Sequence, residues 1–251
     1  MGAPPLSNLS HREHLLRASD GWQLSVLEVK PRSASLGTVI AGHAMMVDRR
    51  TLLRHDRPSL VTTLAATGLR VLVPDLRGHG RSGPRAHEGG TWSFDAMVDD
   101  MGCFVELGRE LDNGAPIAFV GHSLAALIGL AWLGQRPAEP IAAQACLGCD
   151  LWNLQTECKT LRRWTKGAIL AASTVIAEHT QRLPVRSFRA GSNDESIAYW
   201  HQLVSWARSG RWRSANQQID YGAGLRRIHC PTLHIVSAGD RLYGHAASAL
   251  R

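Results

Sequence analysis

The sequence predicts an α/β fold in which a mostly parallel β-sheet is covered by helices on both faces. Three short runs that are almost entirely apolar, at 69–75, 116–121 and 140–150, are typical of strands buried on both sides. Segments with helical character, 91–112 and 124–134, lie between them. Apolar strands that alternate with helices at this spacing favour a parallel sheet with crossover connections.

The amino-terminal elements follow from local signals. Asp20-Gly21 forms a turn signal before the alternating stretch Trp22–Val29, which predicts a strand, and the apolar run 37–43 predicts a second strand. Apolar residues at roughly helical spacing predict a helix between Arg49 and Thr67, and Gly68 supplies its stop signal.

The later elements complete the pattern and define the domain organisation. Thr91 or Ser93 is the expected N-cap of the helix at 91–112. The alternation stops at Leu151, and the run 230–240 restores the strand pattern. We therefore expect an α/β core at 1–150 and 221–251, with a helical cap inserted at 151–220.

The predicted cap carries five of the eight tryptophans of the chain. These side chains would either roof an apolar cleft or fill the interior of a helical lid, and the sequence does not distinguish the two. The apolar run at 168–177 predicts a helix of the insertion rather than a membrane span, since a bilayer needs about 20 residues.

Composition excludes several classes of protein. The net charge is +7, but arginines are spread along the 251 residues without a run of like charges, so we expect no nucleic-acid partner. There is no apolar signal segment at the amino terminus and no apolar run of membrane length. The five cysteines do not make a disulfide framework. A reduced, cytoplasmic protein without a membrane span is the expectation.

No motif predicts a metal or a cofactor. Cys146 and Cys149 form a C-x-x-C pair, but no second ligand pair follows at the spacing of a zinc site, which favours core packing for both. The glycine-rich stretch 78–83 lacks the strand and helix context of a nucleotide-binding loop.

The strongest chemical signal is the stretch Gly121-His122-Ser123-Leu124-Ala125. It joins an apolar strand directly to an Ala- and Leu-rich helix, which is the context that a nucleophile elbow requires. A sharp turn there would lift Ser123 clear of the sheet at the positive end of the helix dipole. Ala125 stands where such motifs usually carry a second glycine. A serine in a purely structural turn is the alternative.

With this elbow, the chain resembles the α/β-hydrolase family along most of its length. The resemblance rests on the elbow, on "GHAMM" at 42–46, on "VPDLRGHGRSG" at 73–83 and on "CPTLHIVSAGD" at 230–240. A weaker likeness of "GHAMMVDRR" and of residues 199–212 is to a bacterial subgroup of uncharacterised α/β hydrolases.

The resemblance implies roles for particular residues. It makes the amides of Met45 and Leu124 the oxyanion hole, places His43 and His122 in the cleft wall for substrate binding, and makes Asp240 the triad acid. Asp150 is the alternative acid. Asp75 and His79 shape their loop. Apart from the resemblance, His179 lies in the insertion and His234 lies in a strand whose alternate residues should be buried, so we expect both to be structural.

The base of the triad is less clear from the sequence. His245 follows Asp240 by five residues, whereas the family places its histidine after one further strand. A truncated sequence, a non-catalytic relative and His245 as the working base all remain open. Loss of the last strand would leave an exposed sheet edge and favour self-association.

These residues predict a serine hydrolase that acts on a small to medium lipophilic ester through an acyl-enzyme, with no cofactor. The alternatives are an acyltransferase on the same scaffold and a pseudo-hydrolase or fragment without catalysis. Both the hydrolase and the acyltransferase hypotheses predict a small-molecule acyl substrate as the partner.

Overall fold

A computed structural model describes residues 3–243 of the chain. Seven strands form one sheet in the order β1-β2-β4-β3-β5-β6-β9, and two further strands form a small hairpin. The strands are β1 His11–Arg17, β2 Gln23–Val29, β3 Thr38–Gly42, β4 Arg70–Asp75, β5 Ile117–His122, β6 Ile141–Leu147, β7 Arg182–Leu183, β8 Glu195–Ser196 and β9 Thr232–Ile235. The helices are α1 Leu60–Ala66, α2 Phe94–Leu111, α3 Leu124–Gln135, α4 Thr160–Thr180, α5 Ile197–Ser209 and α6 Tyr221–Gly224.

The predicted fold class is confirmed. Strands β4, β3, β5, β6 and β9 run parallel to one another, and β2 pairs antiparallel with both β4 and β1. Alternate residues of a strand contact opposite faces of the sheet. In β4, Leu72 belongs to the apolar cluster under α2 and α3, whereas Val71 and Val73 belong to the cluster under α1. Helices therefore cover both faces.

Two elements differ from the sequence expectation. The helix expected over 49–67 is shorter, because only a 3-10 turn at Arg49–Thr51 and α1 at Leu60–Ala66 are helical. Pro58 disfavours helix at the residue before it, and Ser59 opens α1 as its N-cap. Strand β1 was not predicted, since its sequence HREHLLR is largely charged and lies at the sheet edge.

Strand β9 lies at the other edge of the sheet as described. All four of its residues are exposed, including Leu233 at 58% and Ile235 at 49%. The expectation that the residues alternating with His234 are buried is therefore wrong. The predicted self-association through this edge stays a prediction.

The segment predicted as a cap contains α4, the β7–β8 hairpin and α5. Its own apolar cluster joins Leu170 of α4 to Trp200 and Val204 of α5, and Met45 and Met46 of the core pack against that cluster. Over residues 3–243, α4 and the other helices lack the combination of length and apolar character that a bilayer span needs. This contact between cap and core brings the insertion to the loop after β3.

Candidate active site

Ser123 is the single residue that connects β5 to α3. It directly follows β5 and is the N-cap of α3, with φ 50° and ψ −105°, a backbone conformation that L-residues rarely adopt. Its backbone N–H donates to the carbonyl of Leu147 at the end of β6 (2.9 Å), which ties the turn to the neighbouring strand. The surrounding fold therefore holds a strained serine at the carboxyl edge of the sheet.

Gly121 permits this sharp turn. A β-carbon at this position would lie 2.3 Å from the backbone nitrogen of Ala126, in the first turn of α3. Backbone cannot move away as the end of a flexible side chain can, so only glycine fits. The predicted strand–turn–helix geometry is present around Ser123.

A cavity of about 400 Å³ opens in front of this serine. Six of the candidate site residues line it, although they are scattered from the first strands to the last: Met45, His122, Ser123, Leu124, Asp150 and Asp240. The carboxyl ends of the parallel strands meet at one edge of the sheet, where binding sites of open α/β sheets commonly lie.

Two backbone amides near the serine have no acceptor in the part of the chain that the structure describes. Among the described residues, neither the N–H of Met45 nor that of Leu124 donates a hydrogen bond to protein. Leu124 is the first residue of α3, so its N–H lacks an intrahelical partner and lies at the positive end of the helix dipole. Such amides suit a developing negative charge.

His43 does not line the cavity, contrary to expectation. The ring is fully buried; its Nδ1 donates to the carbonyl of Ala44 (2.7 Å) and its Nε2 accepts from the N–H of Leu76 (3.0 Å). Burial, with the nearby His79 adding to it, lowers the pKa of His43 to about 3. This neutral imidazole fixes the loop after β3 to the loop after β4 instead of touching a ligand.

His122 does line the cavity, beside Ser123. Burial lowers the pKa of its imidazole, so the ring is neutral at neutral pH. A neutral ring contributes an apolar face with a polar edge to the wall of the cavity.

Asp240 and Asp150 both line the cavity but have different surroundings. Asp240 accepts hydrogen bonds at Oδ1 from the N–H groups of Leu242 and Tyr243 (2.9 Å each). Asp150 accepts from the ammonium of Lys166 (2.8 Å), which is completely buried. The ion pair engages Asp150 in the attachment of α4. His245, the candidate base, lies outside the described residues.

The cap tryptophans divide between the two alternatives left open by the sequence. Trp152, Trp200 and Trp206 line the cavity. Trp212 is buried against Phe94 of α2 in the main core, with ring centroids 5.9 Å apart. The fifth, Trp164, is 74% exposed and serves neither purpose.

Besides the pair of Asp150 and Lys166, sequence reasoning missed a second buried ion pair near the site. Glu195 and His79 contact each other at 3.0 Å, and both side chains are fully buried. The two residues are 116 positions apart, and Glu195 stands in a polar segment that resembles an ordinary loop. No local signal links them. Over the described part of the chain, no cluster of three or more His, Cys, Asp or Glu side chains is arranged to hold a metal ion.

Three of the solved structures that share this fold are esterases. An esterase from Pyrococcus furiosus superposes with a TM-score of 0.62 at 18% identity, over 100% of this chain and 82% of that one. An esterase from Exiguobacterium antarcticum gives a TM-score of 0.59 at 16% identity, over 95% and 85%. A carboxyl esterase from Bacillus coagulans gives 0.51 at 17% identity, over 72% and 55%. At these identities the likeness shows the fold alone.

The share of each relative that is matched varies. The chain spans about half the length of two of the solved chains. It covers 55% of the Bacillus coagulans enzyme, and 54% of the Pyrococcus furiosus esterase when that protein is compared in a second crystal form. No curated protein matches the sequence at a significant level. The sequence itself matches the family described as serine aminopeptidase, S33, over residues 55–250, which is most of the chain. The chain therefore belongs to the serine aminopeptidase S33 family of α/β hydrolases.

Proposed function

We propose that this chain is a carboxylic ester hydrolase that works through an acyl-enzyme on Ser123. The observation that carries the proposal is the strained Ser123 backbone, φ 50° and ψ −105°, at the mouth of a cavity that Asp240 also lines. Strain of this kind persists only where the surrounding structure enforces it, and it concentrates at functional sites.

In the proposed reaction the Ser123 Oγ attacks the ester carbonyl carbon and gives its proton to a base. The carbonyl oxygen becomes an oxyanion next to the amides of Met45 and Leu124, which donate to no acceptor within residues 3–243. Removing one such donor from a hydrolase costs about 3–4 kcal/mol of transition-state stabilisation. Collapse releases the alcohol, which takes up the proton, and water then attacks the acyl-enzyme to release the acid and restore the serine.

Asp240 is the proposed acid that orients the base, and His245 is the candidate base. Two backbone N–H groups hold the Asp240 Oδ1, which keeps the carboxylate at the wall of the cavity. A base oriented in this way must come within hydrogen-bond distance of the Ser123 hydroxyl.

The walls of the cavity favour a lipophilic substrate of small to medium size. Apolar side chains from the cap and the core line most of it, among them Leu127, Ile169 and Leu203. A volume of about 400 Å³ is at the lower end of the range for small-molecule sites. An ester with a short acyl chain or an aryl group fits this space better than a long-chain lipid.

Hydrolysis of p-nitrophenyl esters of increasing acyl length tests the proposal. We expect turnover with short chains, a loss of at least about 10⁴-fold in Ser123→Ala, and unchanged turnover in Ser205→Ala, an exposed serine of α5. Mass spectrometry after fluorophosphonate treatment should place the adduct on Ser123. Equal rates in wild type and Ser123→Ala would reject the mechanism, and a wild-type protein without turnover or labelling would favour a non-catalytic role.

A further inference from the structure

A carboxylate from the cap reaches the loop that carries the proposed oxyanion amide. The Glu195 Oε1 accepts a hydrogen bond from the N–H of Met46 (2.5 Å) and a second one from the His79 Nε2 (3.0 Å). Glu195 is the first residue of β8 in the insertion, whereas Met46 and His79 belong to loops of the sheet. One buried oxygen thus joins three segments of the chain.

The histidine in this arrangement is charged. The Nδ1 of His79 faces the carbonyl of Arg77 (2.8 Å), and Nε2 faces the Glu195 carboxylate, so both ring nitrogens need a proton to donate. Burial acts to lower the pKa of His79, but the charge and hydrogen bond of Glu195 outweigh it and raise that pKa. The geometry therefore fits an imidazolium that donates to Glu195, with both side chains fully buried.

The same cap segment holds the other side of Met46. The Met46 carbonyl accepts from the N–H groups of Ser192 (2.9 Å) and Asn193 (3.0 Å). Met46 has φ 65°, which a non-glycine residue does not adopt without support. Hydrogen bonds on both its N–H and its carbonyl supply that support, and all three come from residues 192–195 of the insertion.

We propose that Glu195, held in place by His79, is a positioning residue that fixes the Met45 amide in the orientation needed to bind an oxyanion. The Glu195 bond fixes the peptide between Met45 and Met46, which directly follows the Met45 amide along the chain. The catalytic consequence depends on the proposed function, whereas the clamp on the loop does not. The cap accordingly contributes to catalysis as well as to the cavity wall.

The tests compare Glu195→Ala and Glu195→Gln with Glu28→Ala. Gln at 195 keeps an oxygen acceptor for the Met46 N–H but loses the charge opposite His79. Glu28 is the matched control, because it is also buried and paired with a histidine, His14 (2.9 Å), in the outer strands of the sheet. Glu28→Ala removes a buried carboxylate without touching the loop at 43–47.

Hydrogen exchange and serine labelling are the two readouts. In Glu195→Ala we expect amides of residues 44–47 to exchange at least about 10-fold faster, and fluorophosphonate labelling of Ser123 to slow by about 10–100-fold, since a misplaced donor loses much of its value. The value of kcat should fall with KM within about twofold. The exchange and labelling rates of Glu195→Gln should lie between those of wild type and Glu195→Ala. This variant decides the outcome if the alanine variant does not fold.

The proposal is overturned if exchange at 44–47 and labelling in the Glu195 variants match those of Glu28→Ala. It is also overturned if kcat is unaffected while only the thermal midpoint falls, because that pattern describes a purely structural tie. If wild type fails to label, the proposed function fails together with the catalytic role of Glu195. Faster exchange at 44–47 would in that case still support the clamp.

Discussion

The β-carbon of Ala125 fills the space beside Gly42, where the end of β3 meets the first turn of α3. A β-carbon on Gly42 would lie 2.5 Å from that of Ala125, far inside van der Waals contact. Ala125 stands where nucleophile elbows usually have a second glycine. The chain accommodates this methyl group because glycine occurs on the opposite strand instead.

The first prediction concerns this exchange of glycine for alanine. Gly42→Ala should reduce the free energy of unfolding by about 1–3 kcal/mol, because it overpacks a junction of strand and helix. The double variant Gly42→Ala with Ala125→Gly should recover most of the loss. Urea denaturation of the single and double variants measures both.

Gly102 supplies the control for that experiment. It lies within α2, and a β-carbon there would meet no atom within 4 Å apart from the adjacent backbone of its own helix. Gly102→Ala should leave stability unchanged or raise it by up to about 1 kcal/mol through helix propensity. If Gly42→Ala behaved like Gly102→Ala, the close approach of Gly42 and Ala125 would be wrong.

Glycine at position 123 should stabilise the protein while it abolishes activity. The φ of 50° and ψ of −105° at Ser123 cost an L-residue about 1–3 kcal/mol, which glycine avoids in the folded state. The greater freedom of glycine in the unfolded chain offsets up to about 1 kcal/mol of that gain. We expect a higher thermal midpoint for Ser123→Gly by differential scanning calorimetry.

Ser93→Gly is the matched control, because Ser93 also caps a helix but at an ordinary φ of −99°. There the side chain accepts from the N–H of Ala96, so its removal should lower stability by a few tenths of a kcal/mol. A Ser123→Gly protein less stable than wild type would contradict a strained elbow.

Mutation of Asp150 and of Asp240 in the cavity wall should have different effects on activity and stability. For Asp240→Asn we expect a fall of about 10⁴-fold in kcat with little change in stability, as for the acid of a triad. Asp150→Asn should instead reduce the free energy of unfolding by about 3 kcal/mol, since it removes a partner of the fully buried Lys166.

Ester turnover and urea denaturation, measured on both variants, test this assignment. The roles would be reversed if Asp150→Asn lost activity at full stability while Asp240→Asn kept its activity. Asp150→Asn paired with Lys166→Met serves as a second check, because removal of both charges should restore part of the stability.

His43 should make the protein sensitive to acid. Its pKa is about 3 in the folded state, where burial and then His79 lower it, against about 6.5 in an unfolded chain. Between these values only the unfolded chain binds the proton, so the contribution of His43 to stability is complete above pH 6.5 and is lost as the pH falls towards 3. The loss amounts to about 5 kcal/mol at most.

Chemical denaturation at several pH values between 3.5 and 7.5 measures this effect, and His43→Gln should flatten the acid side of the profile. His79 gives the contrast. Its pKa is raised, so its contribution is present below the unfolded value of about 6.5 and is lost as the pH rises through the folded pKa. An unchanged acid slope in His43→Gln would contradict a buried neutral ring.

Patterns of a few neighbouring residues were enough to predict most of the sheet and the elbow. Apolar strands, a following turn and a helix at 116–134 are encoded locally, which is why Ser123 could be placed before any coordinates. Strand β1 was not predicted, because a charged edge strand has no apolar face that would indicate it. The predicted helix was longer than the observed one at 60–66. The leucine spacing continues through a segment that Pro58 interrupts.

The sequence by itself determined most strands and helices of the main sheet and the turn at Ser123, because backbone preferences and apolar periodicity act over a few residues. Only the tertiary structure decided that His43 is buried, that Asp150 is paired with Lys166, and that Glu195 reaches Met46 and His79. Those contacts join side chains far apart in the chain, and the packing of cap on sheet sets the distances between them.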